Sequence, residues 1–107
     1  MYRVTTPTHK FTLPIQTSTC KEIQVTYKQG DNSLVKHYQN GTLPAGMTLN
    51  GKDVIIELSQ EETKAFKPGA GVDTQVRVLT DDDLAYASQV FTIYVNNVLN
   101  EEILIDD

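Results

Sequence analysis

The side chains best suited to chemistry in this sequence are two histidines, His9 and His37, and one cysteine, Cys20. A zinc site needs three or four converging ligands, but the histidines lie on different predicted strands and nothing in the spacing indicates a metal. No motif around any serine or around Cys20 indicates an activated nucleophile. We therefore expect no enzymatic activity, no metal and no cofactor, and we interpret Cys20 as a buried or half-buried thiol.

The sharpest charge feature is the acidic run Asp81, Asp82 and Asp83. Carboxylates are good Ca²⁺ ligands, but the ion needs about six to eight oxygens. The spaced Asp-x-Asp-x-Asp-Gly pattern of a calcium loop is absent, and consecutive side chains diverge. We interpret the run as a solvated hairpin tip and keep it only as a weak candidate cation loop.

Tyrosine is abundant for a chain of this length, with five residues in 107. An exposed tyrosine favours interfaces because its ring offers a large contact area with a polar tip. Most strand tyrosines are nevertheless core or half-core residues. Tyr86 and Tyr94 are the tyrosines that we take as candidate interface residues.

The C-terminal segment, residues 99–107, is the second candidate interface. It places Ile103, Leu104 and Ile105 among acidic residues, after the last predicted strand. Such a segment can add a strand to a neighbour's sheet edge or pack in an oligomer interface. It can equally form an eighth strand of its own domain or a frayed end, and the sequence leaves these alternatives open.

Short β-strands must position these residues, because apolar and polar residues alternate along most of the chain. In the third predicted strand, for example, Leu34, Lys36 and Tyr38 share one side. The alternating segments are 9–13, 23–27, 33–39, 54–58, 72–79 and 88–95, with a short strand at 47–49.

The stretch from residue 50 to residue 79 carries the clearest local signals. Asn50-Gly51 tolerates positive φ at both turn positions and predicts a two-residue hairpin. Ser59 followed by Glu62 is the signature of a capping box. We expect it to start a short helix over about Gln60–Phe66, which Pro68-Gly69 ends.

About seven short strands and one short helical turn predict an all-β fold, an immunoglobulin-like antiparallel β-sandwich. A small barrel is the runner-up. The chain has no tryptophan and one cysteine, so it is not an antibody-type domain. A length of 107 residues favours one domain. We assign residues 1–98 to the sandwich and residues 99–107 to an acidic and apolar tail.

Composition excludes several classes of function. The formal net charge is −5 and no basic cluster exists, so nucleic-acid binding is disfavoured, since it needs a positive footprint. No apolar run approaches the roughly 20 residues of a membrane span. The first fifteen residues lack a continuous apolar core, so we expect no signal peptide.

Several segments resemble small proteins of phages and prophages of Gram-positive bacteria. They are Thr8–Pro14, Lys21–Tyr27, Leu58–Thr63, Gln75–Leu79, Ala87-Ser88 and the acidic ending Leu99–Leu104. The similarity covers most of the chain, and its motifs are structural. The beginnings of multidomain phage baseplate proteins show a similar layout of strand, helical turn and strand. The resemblance implies a non-enzymatic virion component near the tail or baseplate, with no functional residues to transfer.

The leading hypothesis is therefore a phage structural protein that is assembled in the host cytoplasm into the virion. Its expected partners are other virion proteins or further copies of itself, contacted through edge strands and the tail. A carbohydrate- or cell-surface-binding module is one alternative, using exposed tyrosines and the acidic loop. An intracellular inhibitor or regulator encoded by a prophage is another, although a charge of −5 is modest for nucleic-acid mimicry.

Overall fold

Eight β-strands form two antiparallel sheets in the computed structural model, which describes residues 1–104. A 3₁₀ turn at Thr17–Thr19 and one helix, α1 (Gln60–Lys64), accompany the strands. The strands are β1 (Thr8–Thr12), β2 (Cys20–Gln29), β3 (Asn32–Gln39), β4 (Met47–Asn50), β5 (Asp53–Glu57), β6 (Gly71–Thr80), β7 (Ala85–Ala87) and β8 (Phe91–Tyr94). The predicted all-β sandwich is confirmed, with eight strands rather than about seven.

The strand order leaves two edges on each side of the sandwich. One sheet has the order β1-β5-β4. The other has the order β3-β2-β6, and β7 and β8 share the remaining edge of β6, pairing with Arg77–Leu79 and Gly71–Thr74 respectively. Edges β3 and β4 therefore lie on one side of the molecule, and β1 lies opposite β7 and β8 on the other.

Strand alternation places the core between the sheets, as the sequence pattern predicts. The inward face of β6 is buried along its whole length. Val54, Ile56 and Leu58 face it from the three-stranded sheet and are fully buried. Tyr27 of β2 is also fully buried, so one of the five tyrosines is the largest side chain of the core rather than a surface group.

The sequence contains two Asn-Gly pairs, Asn40-Gly41 and Asn50-Gly51, and only the first forms the two-residue turn expected of such a pair. The β4–β5 hairpin exists, but its turn residues are Gly51 and Lys52, since Asn50 pairs with Asp53. The expected Asn50-Gly51 turn is therefore wrong by one residue. Thr17 explains the shift, because its backbone N–H and its hydroxyl both donate to the Gly51 carbonyl, at 2.8 and 2.7 Å.

Asn40-Gly41 is the Asn-Gly pair that does form a two-residue turn. Both residues have positive φ, 53° and 78°, which is the geometry of a type I′ turn. Gln39 and Thr42 exchange backbone hydrogen bonds across it. The turn reverses the chain after β3 and directs it back towards the other sheet.

The capping box at the start of α1 is confirmed. Ser59 Oγ accepts from the Glu62 N–H at 3.1 Å, and the Glu62 carboxylate accepts from the Ser59 N–H at 2.8 Å. The helix ends at Lys64, two residues before the predicted end at Phe66. The residues after it turn back into the core, where Phe66 is buried.

The last predicted strand, residues 88–95, begins three residues later in the structure, and a short strand that the sequence did not predict precedes it. Ala85–Ala87 forms β7, residues 88–90 leave the sheet, and β8 starts at Phe91. Ser88 causes the break, because its hydroxyl accepts from the Val76 N–H at 3.0 Å while its own N–H donates to the Val76 carbonyl. A side-chain oxygen thus replaces the backbone acceptor that a continuous strand would supply.

The N-terminal residues contact the chain just after β8 and pack against α1. Tyr2 forms a parallel bridge with Asn96, and the buried Thr63 hydroxyl donates to the Thr5 carbonyl at 3.0 Å. Among residues 1–104, no helix is long and apolar enough to cross a membrane.

Candidate functional site

The predicted interface tyrosines, Tyr86 and Tyr94, are exposed by 52% and 57%, and they face in different directions. Directly paired residues in antiparallel strands share a face of the sheet. Tyr86 pairs with the buried Val78 and so points to the core side, beyond the sheet edge. Tyr94 pairs with Gly71 and points outward. The structure therefore does not bring the two rings together.

The tail residues that the structure describes do not form a strand. Leu104 exchanges hydrogen bonds with the Gln60 side chain at the start of α1, at 2.8 and 2.9 Å. Glu101 pairs with Arg3 at 2.5 Å. Ile103 is half-buried, and Leu104 is largely exposed. Ile105, the remaining predicted interface residue, lies outside the described residues.

The acidic run at Asp81–Asp83 forms a turn with a nearby cation. Asp83 forms an ion pair with Lys21, and this hydrogen bond raises the pKa of the lysine. The Asp81 N–H donates to the Thr19 carbonyl at 2.9 Å. Within residues 1–104, no three His, Cys, Asp or Glu side chains converge to hold a metal ion.

The histidines and the cysteine are dispersed. His37 contacts Glu22 on the neighbouring strand at 3.0 Å, and His9 contacts Tyr27 at 2.9 Å. Cys20 is buried, and burial raises the pKa of its thiol. A raised thiol pKa lowers the thiolate fraction, so this side chain is poorly suited to nucleophilic chemistry.

A groove runs along one side of the sandwich, between β1 and the divided β7–β8 edge. Two adjoining cavities of about 450 and 420 Å³ make up the groove. We call this region, with its two strand edges, the open side. Apolar side chains from both sheets dominate its lining: Phe11, Leu13, Val76, Val78, Tyr86, Phe91 and Ile93.

The β1 strand presents an unpaired backbone edge beside this groove. Its hydrogen bonds to β5 follow odd positions, as the flanking bonds show: the Leu13 N–H donates to the Lys52 carbonyl, and the Pro7 carbonyl accepts from Leu58. In an antiparallel ladder, the alternate residues direct their backbone groups to the other edge. The backbone groups of Thr8, Lys10 and Thr12 therefore face outward, and within residues 1–104 no strand pairs with this outer edge of β1.

Aromatic rings line the groove from the core outward. The His9 ring lies 5.6 Å from that of Tyr27 and 6.5 Å from that of Phe11, and Phe11 lies 6.3 Å from Phe91. Phe91, at the end of this series, remains 47% exposed. A large apolar ring on an unpaired edge is the kind of anchor that protein interfaces use.

His9 is a titratable group that lines the open side. Burial lowers its pKa, and the positive charge of the amino terminus lowers it further. Burial, followed by the negative charge of Glu62, raises the pKa of Tyr27. The Tyr27 phenol thus stays protonated and can donate to Nδ1 of a neutral His9, which then carries its proton on Nε2.

The other side of the sandwich is bridged by a charged pair. Lys36 of β3 points inward, and its Nζ lies 2.6 Å from a Glu62 carboxylate oxygen and 2.9 Å from the Ala45 carbonyl, just before β4. The predicted face of Lys36, shared with Leu34 and Tyr38, is confirmed. We call the β3 and β4 edges, with this bridge, the closed side.

The Glu62 carboxylate therefore both caps α1, by accepting from the Ser59 N–H, and pairs with Lys36 on the closed side. Burial acts to raise its pKa, but hydrogen bonds from Lys36 and from the Ser59 N–H outweigh burial and leave the pKa lowered. The carboxylate is thus charged at neutral pH. The sequence showed the capping box, whereas the long-range pairing of Glu62 with Lys36 had no local signal.

Comparison of the chain with protein-family models, curated proteins and solved structures found no match.

The open side is a feature that the sequence analysis did not predict. Its sequence signals are the alternating segment at residues 9–13 and the apolar series Phe91, Ile93 and Val95 on the last predicted strand. That pattern indicates a buried face but does not indicate that Phe91 lies at an unpaired edge.

Proposed function

We propose that this chain is a non-enzymatic structural or assembly protein of a phage particle, associated with the tail or baseplate. It acts through protein–protein contacts on the open side of the sandwich. The virion assignment is supported by the resemblance of its strand and helical-turn segments to small phage and prophage proteins. Partners are other virion proteins, and the site of action is the assembled particle.

The observation that carries the proposal is the unpaired β1 edge beside an apolar groove. The unpaired backbone groups of an exposed strand edge can pair with another chain, so soluble proteins usually cover such an edge or place charged side chains on it. Here only Lys10 charges the edge, while Phe91 and Tyr86 leave apolar surface exposed next to it. Such a surface favours strand addition by a partner, in which backbone hydrogen bonds give affinity and side-chain pockets give specificity.

Mass spectrometry of purified particles tests the proposal. Particles induced from a lysogen that carries the gene are expected to contain the chain in a constant ratio to known tail proteins through successive purification steps. A ratio that falls towards zero, while the chain persists in the unfractionated lysate, rejects the virion assignment.

A photo-crosslinking amino acid tests the surface. Phe91 on the open side and Val35 on the outward face of β3 are matched, with exposed fractions of 47% and 46%. Crosslinks from position 91 to tail or baseplate proteins, and few from position 35, support contact through the groove. Equal crosslinking from both positions argues against a specific surface.

The carbohydrate-binding and intracellular-inhibitor hypotheses stay predictions with tests of their own. A glycan array probed with and without Ca²⁺ addresses the first hypothesis. A pull-down from host lysate addresses the second, since recovery of virion proteins alone counts against an inhibitor.

A further inference from the structure

The open side has room and hydrogen-bonding capacity for one more strand of the three-stranded sheet. A strand placed next to β1 would pair with the outward backbone groups of Thr8, Lys10 and Thr12. Its inward side chains would enter the groove and cover Phe91 and Ile93, which belong to the other sheet. The missing element is therefore an extended segment whose alternate residues are apolar on one face.

Symmetric pairing of two β1 strands fits this requirement poorly. An antiparallel pairing centred on the strand places Lys10 opposite Lys10 of the second copy. Like charges directly opposite each other destabilise a strand pair. An occupant with negative charge on its outward face suits Lys10 better.

The chain itself contains a segment with the required pattern. From Glu102 to Asp106, the residues at alternate positions are Ile103 and Ile105, with Glu102, Leu104 and Asp106 between them. Because side chains alternate along a strand, any register that turns the two isoleucines inward turns Glu102 and Asp106 outward. The two acids then share the outer face with Lys10.

We infer that the open side of one copy binds the C-terminal segment of a second copy, residues 102–106, as an added strand of the β1 sheet. This inference rests on the proposed assembly function and names its partner. The contact joins the tail of one copy to a different surface of the next, so copies either exchange tails reciprocally or join head to tail into a ring or chain.

Among the described residues, the tail contacts its own domain through polar groups and through the half-buried Ile103. Leu104 touches the domain through the Gln60 amide, and Glu101 through Arg3. The Glu101 carboxylate is 39% exposed in its pair with Arg3, and solvent weakens such a pair. Transfer of the tail to a neighbour exchanges these contacts for fuller burial of Ile103, burial of Ile105 and a ladder of backbone hydrogen bonds.

Two complementary variants of the full chain test the inference. The tail variant carries Ile103→Asp and Ile105→Asp, and keeps an intact β1 edge. The edge variant carries Lys10→Pro, which removes an outward N–H that β5 does not use, and keeps an intact tail. Light scattering after size exclusion gives the mass of each protein and of an equimolar mixture.

We expect the unmodified chain to form oligomers and each variant alone to be monomeric, with association weakened by at least about tenfold. The mixture should contain a complex of one tail variant with one edge variant, since one intact tail then meets one intact edge. Recovery on mixing distinguishes exchange between copies from insertion of a tail into its own domain. A mixture that stays monomeric overturns the inference.

Leu104→Asp is the matched control, because it adds the same kind of charge, one aspartate rather than two, on the outward face of the same segment. It should leave association within about twofold of the unmodified chain. Thermal unfolding of all variants checks that each is folded before its mass is interpreted. Loss of association with Leu104→Asp equal to that of the tail variant would mean that charge, not strand register, controls the contact.

A monomeric unmodified chain also overturns the inference. Particles that contain the chain while it stays monomeric in solution would leave the proposed virion function intact. Oligomers that depend on both sites, in a chain absent from particles, would reject the virion assignment and keep the tail contact.

Discussion

On each side of the sandwich, edge strands of the two sheets face each other, but the gap between the sheets is filled differently on the two sides. On the closed side, Lys36 reaches inward across the gap between the sheets to Glu62 and to the Ala45 carbonyl. On the open side, Phe11 and Phe91 approach from the two sheets, and the groove between the strand edges remains accessible. Both sides thus end in edge strands, but a charged bridge within the chain spans the gap on one side, and the other side leaves apolar surface exposed beside the β1 edge.

The difference shows how the domain can be stable and still offer a binding edge. A buried charge depends on its partner, so the closed side loses much if either residue is changed. Half-exposed apolar groups lose little when they are truncated, because their burial is incomplete. Stability should therefore depend on the closed side and the core, and association on the open side.

Two phenylalanines provide the largest expected contrast. Phe66→Ala, at a position only 1% exposed after α1, should lower the free energy of unfolding by about 3–5 kcal/mol. Phe91→Ala on the open side should lower it by less than about 1 kcal/mol. Urea unfolding followed by circular dichroism measures both. Similar losses for the two variants would mean that the open side belongs to the core.

Glu62→Gln tests the charged bridge. Glutamine can still accept from the Ser59 N–H, so the helix cap is kept while Lys36 loses its counter-ion. Lys36 is buried but Glu62 is partly exposed, so we expect a loss of about 1–3 kcal/mol, between the values for a surface pair and a buried pair. Glu61→Gln, on an exposed neighbour in the same helix turn, is the control and should change stability by less than about 0.5 kcal/mol. A small effect at position 62 would show that the closed side does not need the charge.

The two sides should also lose stability in different pH ranges. A lowered pKa in the folded state means that the unfolded chain binds the proton first as pH falls, so stability decreases below the group's ordinary pKa. For His9 this decrease begins near its ordinary value of 6.5, and for Glu62 near 4.5. The free energy of unfolding is measured from pH 7 to pH 3. The decrease that begins near pH 6.5 should be absent in His9→Gln, and the one that begins near pH 4.5 should be absent in Glu62→Gln. If either decrease remains in its variant, another residue takes up that proton.

The exposed tyrosines give the smallest expected effects on stability. Tyr86→Ser and Tyr94→Ser should each change the free energy of unfolding by roughly 0.5 kcal/mol or less. Only Tyr86 lines the groove, so only its variant should reduce crosslinking from position 91 to a partner. Reduced crosslinking with Tyr94→Ser would extend the contact to the outward face of β8.

Much of the fold follows from local sequence. Ser59 and Glu62 form the capping box at the predicted place because both hydrogen bonds join residues within one helical turn. The alternation of β6 predicted its buried face because strand geometry alone sets that period. The Asn50-Gly51 turn, in contrast, was displaced by one residue, because Thr17 from another segment binds the Gly51 carbonyl.

The last strand shows the same limit at larger scale. Its alternating pattern starts at residue 88, but Ser88 binds Val76 through its hydroxyl and the strand begins only at Phe91. Whether a serine stays in a ladder or replaces a backbone partner depends on the neighbouring strand, which local sequence does not specify. The local sequence likewise did not separate the predicted interface residues Tyr86 and Ile103. In the structure, Tyr86 lines the groove and Ile103 lies in the C-terminal tail.

By itself, the sequence determined the all-β class, the buried faces of the strands and the helix cap, because each depends on residues that are close in the chain. Only the tertiary structure decided that Lys36 finds Glu62 across the closed side and that β1 becomes an unpaired edge facing Phe91. Those outcomes depend on which strands become neighbours, and strand neighbours are selected by packing over the whole domain rather than by any local pattern.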